Sequence, residues 1–419
     1  MKILMINHFP LAGSGSGTYT RNLAVHLAAL GHEVCIILPE NTEDYEEVEG
    51  IRLHPVFFSP VKNEDSYDFP EEKLGNSMEY ALPFNFPCFT SHPRSITTFA
   101  DLSETQLDMY TKAFTKAIDD EIRNNAPDII HGQHVWILPS LSVGKGIPLV
   151  LTAHGTDLMG YDKWPELRPY ANKAMDACYA VISISKDNCV LIEERFPESK
   201  DKIVMMRNGY DPTIFYPEDI SRKEVLEKHG IREEEYKDKK IVSFAGKLAH
   251  FKGVDVLLNA IKLYEDREPS SVTLIVGDGD ERDILHKQAK DLELKTVRFL
   301  GNVKQEELRH IYNIADVNLV PSRREPFGLV AIEAMGCGTP VIASNQGGLP
   351  DFVNESVGGL VKPEDPIDLA ETILKVLKRT DEDNVSEWRK EIYAYARNHY
   401  AQDTIIKELD NLYHEAVKQ

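Results

Sequence analysis

Cysteine is scarce. The five cysteines in 419 residues (Cys35, Cys88, Cys178, Cys189 and Cys337) are odd in number and widely scattered. No Cys-x-x-Cys pair or Cys/His cluster occurs, so neither a disulfide framework nor a structural zinc site is indicated. Cys35, Cys178 and Cys337 fall in apolar patterns and are expected in the core. Long apolar runs are missing too: none approaches the roughly 18 residues of a membrane span. Strand-like residues begin at Lys2, which leaves no room for a secretory leader, and the cytosol is the expected compartment. Positive charge is short, with 47 Lys+Arg against 68 Asp+Glu and a formal net charge of −21. That balance argues against nucleic acid or an anionic membrane as partner. What is present is ordinary for a globular chain, 42% hydrophobic and 27% charged. The length exceeds one compact core and fits two domains of about 200 residues each.

The first half reads as alternating strands and helices. Residues 2–7 (KILMIN) form a near-continuous apolar run, the mark of a buried parallel strand. A Gly-rich loop follows, with Gly13, Gly15 and Gly17, and then a helical pattern over 18–30. Such a turn lets a ligand approach backbone amides because no side chain blocks the way. The spacing Gly-x-Gly-x-Gly is not the Gly-x-Gly-x-x-Gly of a dinucleotide site, although Glu40 lies about where a ribose-binding acid would. Strands are expected at 33–38, 52–58, 128–131, 148–152, 180–184 and 202–206, with a helix over 104–124 and Ser185 capping another. Residues 59–101 are irregular and rich in aromatics (Tyr67, Phe69, Tyr80, Phe84, Phe86, Phe89). That richness argues against disorder, and the segment is read either as an acceptor-side wall or as simple packing. His154 stands at a strand's carboxyl end, with Asp157 three residues on.

A charged connection over 212–240 leads into a second series. The strand 241–245 runs into Gly246, Lys247, Lys252 and Gly253. Lysines at a strand end beside a helix start suit a diphosphate leaving group, whose charge they neutralise. The strand 272–276 ends in Gly-Asp-Gly-Asp (277–280). The strand 297–300 ends in Gly-Asn-Val, with Asn302 and Val303. Residues 316–351, DVNLVPSRREPFGLVAIEAMGCGTPVIASNQGGLPD, read as strand, loop, helix and strand. The loop therefore lies at a strand's carboxyl end and feeds a helix N-terminus, where ligands sit in open α/β sheets. Glu325 and Glu333 frame it. Taken singly, Glu333 could be a solvated helix acid and Glu325 an acid favoured by the helix dipole.

The run REPFGLVAIEAMGCGTPVIAS followed by GGLPD, with Glu325-x7-Glu333, closely resembles the donor-site signature of family 4 retaining glycosyltransferases of GT-B fold. The resemblance covers nearly the whole chain and is absent over 59–103. It implies two Rossmann-like α/β domains facing across a cleft: 1–211 on the acceptor side, 212–400 binding the nucleotide sugar, and 401–419 as a helix crossing back. It implies that Glu325 holds donor-sugar hydroxyls. Pro326, Phe327, Gly328 and Leu329 would present backbone to sugar and phosphate, and Glu333 would take the ribose hydroxyls. His154 would contact the donor sugar, Gly15 and Gly246 would approach the phosphates, and Asn302 and Val303 would meet the base. Gly17, Asp157 and Arg207 are assigned to the acceptor side, Arg207 alternatively facing solvent. Lys247 stands where the family carries Arg, so a point charge replaces a bidentate fork.

The activity implied is transfer of a hexosyl unit from a nucleoside diphosphate sugar, UDP by default, to an acceptor hydroxyl. Retention of configuration is expected, with no cofactor and no metal; Asp278-x-Asp280 is set aside as a metal site because both lysines already supply positive charge. Members that act on lipids often carry a basic helix on the first domain, whereas the helix here has Arg21 as its only fixed positive charge. A soluble small-molecule or saccharide acceptor is therefore expected, stacking on the aromatics of 59–103. The alternatives are a GT-B epimerase or phosphorylase, an inert sugar-nucleotide binder, and, last, an NAD oxidoreductase.

Overall fold

The structure, a computed structural model, describes residues 1–41, 44–59, 80–90, 92–265, 271–325 and 327–418. The chain divides into two units, Met1–Arg207 with Ile406–Gln419, and Asn208–Ile405.

The first unit is built on a parallel sheet in the order β10-β9-β8-β7-β1-β2-β3-β4. Its strands are β1 Lys2–Ile6, β2 Glu33–Glu40, β3 Arg52–Phe58, β4 Ala81–Leu82, β7 Ile129–Gln133, β8 Leu149–Ala153, β9 Ala180–Ser183 and β10 Ile203–Met205. Two-residue strands β5 (Pro87–Cys88) and β6 (Thr97–Thr98) pair apart from it. β1 sits centrally, with Ile3 opposite both Val34 and Ile129. Both its edges are thus paired, and Ile3–Ile6 are buried, as a parallel strand inside an α/β sheet requires. Because β2 and β7 leave β1 in opposite directions, the sheet has its topological switch point at the carboxyl ends of β1 and β7.

Local chemistry sets the helix starts. Ser14 caps the helix Gly15–Ala29 by accepting from the Gly17 amide at 3.0 Å, and Ser185 caps Lys186–Arg195 by accepting from Asn188 at 3.2 Å. Helices over Ile137–Leu141, Thr156–Lys163 and Arg168–Ala177, absent from the sequence reading, fill the spaces between later strands. The described part of the irregular segment differs from one expectation. Tyr80, Phe86 and Phe89 are 7%, 1% and 2% exposed and belong to the core, so they offer no ring face for an acceptor. Tyr67 and Phe69 lie outside the described residues. Among the described residues no helix is long and apolar enough to cross a membrane.

The second unit repeats the plan with six parallel strands in the order β13-β12-β11-β14-β15-β16. These are β11 Lys240–Ala245, β12 Ser271–Val276, β13 Val297–Gly301, β14 Val317–Val320, β15 Val341–Ser344 and β16 Gly358–Val361. Here the switch point falls between β11 and β14, the strands that lead into Gly246 and Pro321.

The last helix, Gln402–Val417, begins in the second unit and continues into the first. Leu409 and Tyr413 are fully buried, and the Tyr413 hydroxyl lies 2.6 Å from His131 Nδ1. Removing that hydroxyl strands a buried ring nitrogen. Tyr413→Phe is expected to lower stability by about 1–3 kcal/mol, whereas Lys418→Ala, beyond the helix end, should change it by less than about 0.5 kcal/mol; urea unfolding midpoints decide.

Candidate active site

In the second unit, the loops after β11 and β14 are pressed together by contacts that leave no space for a side chain. A Cβ on Gly253 would stand 2.1 Å from the Pro321 carbonyl, and one on Gly277 would stand 1.9 Å from that of Gly246. Gly253 also takes a φ of +68°, and Gly277 one of +130°, where L side chains are strained. The neighbouring turns are stitched by backbone hydrogen bonds: Gly277 N donates to Gly301 O at 2.8 Å, and Leu248 N to Asp278 O at 3.0 Å.

This packing brings Lys252 and Glu325 together. The Lys252 ammonium donates to Glu325 Oε2 at 2.6 Å, and the Ser322 hydroxyl donates to the same oxygen at 3.2 Å. Glu325 is 7% exposed. Its backbone carbonyl accepts from the Gly348 amide at 3.1 Å, and a Cβ on Gly347 would reach that carbonyl at 2.0 Å. Arg323, quoted in the sequence motif but given no role there, joins the two loops. Its guanidinium meets Asp255 with two 2.7 Å bonds, donates to His250 O at 2.8 Å and reaches Glu364 at 2.7 Å. Only a planar fork makes that set of bonds.

Phe327 turns its ring into the core, 4% exposed, at 5.3 Å from Phe352. Backbone is therefore what this turn can present. Gly328, at φ +104°, precedes the helix Leu329–Gly336, and among the described residues no acceptor takes the amides of Gly328 or Leu329. Pro326 lies outside the described residues. Glu333 is half-buried on that helix; its side-chain carboxyl accepts no hydrogen bond among the described residues, and burial pushes that carboxyl up to about 7. Lys247 is more exposed and pairs with Asp280 at 3.1 Å. Asp278 accepts from the Gly279 amide and from Arg282, so both carboxylates of the Asp-x-Asp have partners within the protein. Asn302 is exposed and Val303 half-buried beyond β13.

In the first unit, His154 follows β8, half-buried, with Nε2 at 2.9 Å from Gln133 Oε1. Tyr19 lies edge-on at 5.3 Å and His134 at 4.6 Å between ring centroids. Burial holds the imidazole neutral, its pKa brought down to about 3. Asp157 departs from its expected acceptor role. It is fully buried, and its carboxylate accepts from the amides of Val135 at 2.7 Å, Leu158 at 3.1 Å and His154. Burial raises its carboxyl to about 6 in spite of these bonds. It ties the start of the helix Thr156–Lys163 to the Val135 backbone. Gly17 is likewise structural, since a Cβ there would stand 2.2 Å from the Pro10 carbonyl, whereas Gly15 faces open space. Arg207 is half-buried. Glu40, the acid weighed for a ribose contact, is buried and paired with Arg94. The sequence reading passed over Gln133 and His134; their place at the carboxyl end of β7, beside the switch point, was the usable signal.

Two measurements probe this arrangement. The folded-state pKa of Glu333 is raised from 4.5 to about 7, so its neutral form contributes stability that is fully present below the unfolded value. That contribution is lost as pH rises through 7. Glu333→Gln should therefore be more stable than the parent by roughly 1–2 kcal/mol at about pH 8.5. The gap should close below about pH 4.5 in pH-resolved urea denaturation; a gap independent of pH contradicts the assignment. Arg323→Lys should cost about 1–3 kcal/mol, since a single ammonium cannot replace the paired bonds to Asp255. Calorimetric unfolding would show the loss, and a midpoint equal to the parent's would refute the clamp.

Comparison with known proteins places the chain. The profile of Glycosyl transferases group 1 matches residues 227–399, and that of the Glycosyl transferase 4-like domain matches 14–209. An uncharacterized glycosyltransferase of Methanocaldococcus jannaschii is 27% identical over 442 aligned positions, spanning 100% of this chain and 99% of its own. A D-inositol 3-phosphate glycosyltransferase of Corynebacterium aurimucosum is 31% identical, over 86% of this chain and 84% of its own. Among solved structures, Anabaena HepE in complex with UDP superposes with a TM-score of 0.71 at 19% identity, covering 99% of this chain and 100% of that one. With two Rossmann-like units and their strand-end loops in this order, the chain belongs to the group 1 glycosyl transferases of GT-B fold.

Proposed function

We propose that the chain moves a hexosyl unit from a nucleoside diphosphate sugar, with UDP as the nucleotide, to a hydroxyl of a soluble small-molecule or saccharide acceptor, with retention of configuration. The observation that carries this reading is the Lys252–Glu325 pair, 2.6 Å apart beside the amides of Gly328 and Leu329. A diphosphate would find an ammonium and unengaged amides at one place, and a sugar hydroxyl would find a carboxylate there. Glu333 supplies a second carboxylate, without a side-chain partner among the described residues, suited to the vicinal hydroxyls of a ribose, which would restore the hydrogen bonds that its burial denies it. UDP is supported by the HepE complex, whose fold this chain shares.

In this mechanism Lys252 neutralises charge as the bond between the anomeric carbon and the diphosphate oxygen breaks. The acceptor oxygen bonds to that carbon on the face the diphosphate leaves, and its proton passes to a diphosphate oxygen. No protein nucleophile and no divalent metal is required. His154, neutral at working pH, would hydrogen-bond the donor sugar without adding charge. The acceptor is taken as soluble because the helix Gly15–Ala29 offers Arg21 as its single fixed positive charge.

Assaying nucleoside diphosphate release from a panel of UDP-, GDP- and ADP-sugars tests the reaction class. Release that depends on a hydroxyl acceptor supports transfer; a requirement for inorganic phosphate or isomerised sugar nucleotide would replace it with a phosphorylase or epimerase. Lys252→Ala should lower kcat by about 10²–10³-fold. Activity should survive EDTA, and loss restored by Mg²⁺ or Mn²⁺ would overturn the metal-free mechanism. Clear co-sedimentation with anionic vesicles at physiological salt would overturn the soluble acceptor.

A further inference from the structure

Among the described residues the His154 ring makes its side-chain hydrogen bond to Gln133. Gln133 closes β7, is fully buried, and sets Oε1 at 2.9 Å from His154 Nε2. Its amide nitrogen lies 3.3 and 3.4 Å from the two ring nitrogens of His131. Both in-plane directions of that ring are already engaged, by Thr152 Oγ1 at 2.7 Å and the Tyr413 hydroxyl at 2.6 Å. The Gln133 NH₂ therefore lies against the face of the imidazole, where an N–H is attracted to the π electrons and a carbonyl oxygen is repelled. That fixes which end of the carboxamide meets His154. An amide oxygen can only accept, so the nitrogen it touches must carry the proton.

The backbone of Gln133 is as firmly held as its side chain. Its carbonyl accepts from His134 Nδ1 at 2.8 Å and from His8 Nδ1 at 3.0 Å. His8 Nε2 in turn accepts from the Leu138 amide at 3.2 Å, which is consistent only with Nδ1 being the protonated nitrogen of His8. His134 bends the chain with a φ of +78°, a costly conformation for a non-glycine residue, and such strain persists where the surroundings over-determine it.

We propose that Gln133 is a positioning residue for His154, holding its ring as the Nε2–H tautomer so that Nδ1 keeps its lone pair as a hydrogen-bond acceptor. Nδ1 is then able to accept a hydrogen bond from a hydroxyl of a polyol such as a donor sugar, while Nε2 is committed to the protein interior. The step from tautomer to turnover rests on the glycosyl-transfer reading above; the tautomer itself does not.

Long-range ¹H–¹⁵N NMR of the ¹⁵N-histidine-labelled full chain reads the tautomer directly, with His154 assigned by the signals lost in His154→Gln. The parent is expected to show Nε2 protonated and Nδ1 bare; an Nδ1–H form or a mixture overturns the proposal without any variant. Gln133→Met, of similar volume but without an acceptor, should give a mixture, and Gln133→Glu, which keeps an oxygen there, should hold Nε2 protonated. A folded Gln133→Met that retains pure Nε2–H also overturns it. In the sugar-nucleotide assay, Gln133→Met should lower kcat about tenfold while the KM for the nucleotide sugar stays within about twofold. An unchanged kcat in a variant whose tautomer is lost would refute the catalytic consequence. Absence of glycosyl transfer in the parent would instead refute the functional reading and leave the NMR result intact.

Discussion

At the carboxyl edge of the second sheet, backbone meets backbone with no room for a Cβ: Gly253 against Pro321, Gly277 against Gly246, Gly347 against Glu325. Everything offered to a ligand there depends on these approaches. They bring the loop carrying Lys252 within reach of the loop carrying Glu325. Parallel pairing is the reason the loops meet at all. Each strand must return by a crossover, so all carboxyl ends gather on one edge. Arg323 then locks the arrangement with bonds to Asp255, His250 and Glu364, which a lone electrostatic pair could not orient.

The two carboxylates of the motif live in opposite electrostatic settings. Glu325 has a lysine and a hydroxyl on one oxygen. Glu333 has neither, and burial favours its neutral form. A fold selected only for stability would fill that position with an apolar residue. Retaining a carboxyl that resists ionisation is the kind of local inconsistency expected where a ligand supplies the missing partner. His154 follows similar logic, being kept neutral by its surroundings and aimed by one amide oxygen.

The central strands were legible because their residues are buried along almost their whole length, so that KILMI and VNLV stand out as apolar runs. Capping serines, glycine stops and the strand-end loops followed from local rules. Other features depended on tertiary context. The helix Thr156–Lys163 starts at Gly155 with no side-chain cap, so no local signal announced it. Asp157 resembled a site acid because its position in the chain says nothing of the buried amides that surround it. Tyr80, Phe86 and Phe89 sit in an irregular segment, and only packing against strands distant in sequence reveals them as core. Gln133 and Arg323 act through partners 21 to 73 residues away in the chain, beyond any periodicity.

The bond between His131 and Tyr413 joins residues 282 positions apart. During synthesis the strands of the first unit emerge early, yet the helix that satisfies His131 emerges after the whole second unit. At ribosomal rates of about 5–20 residues per second, that interval is on the order of tens of seconds. The first unit thus waits, with Nδ1 of His131 lacking its Tyr413 partner, until the second has been made. Its completion reports that translation has passed the whole of the other unit, and a chain truncated before Tyr413 carries the defect in the half that was finished first.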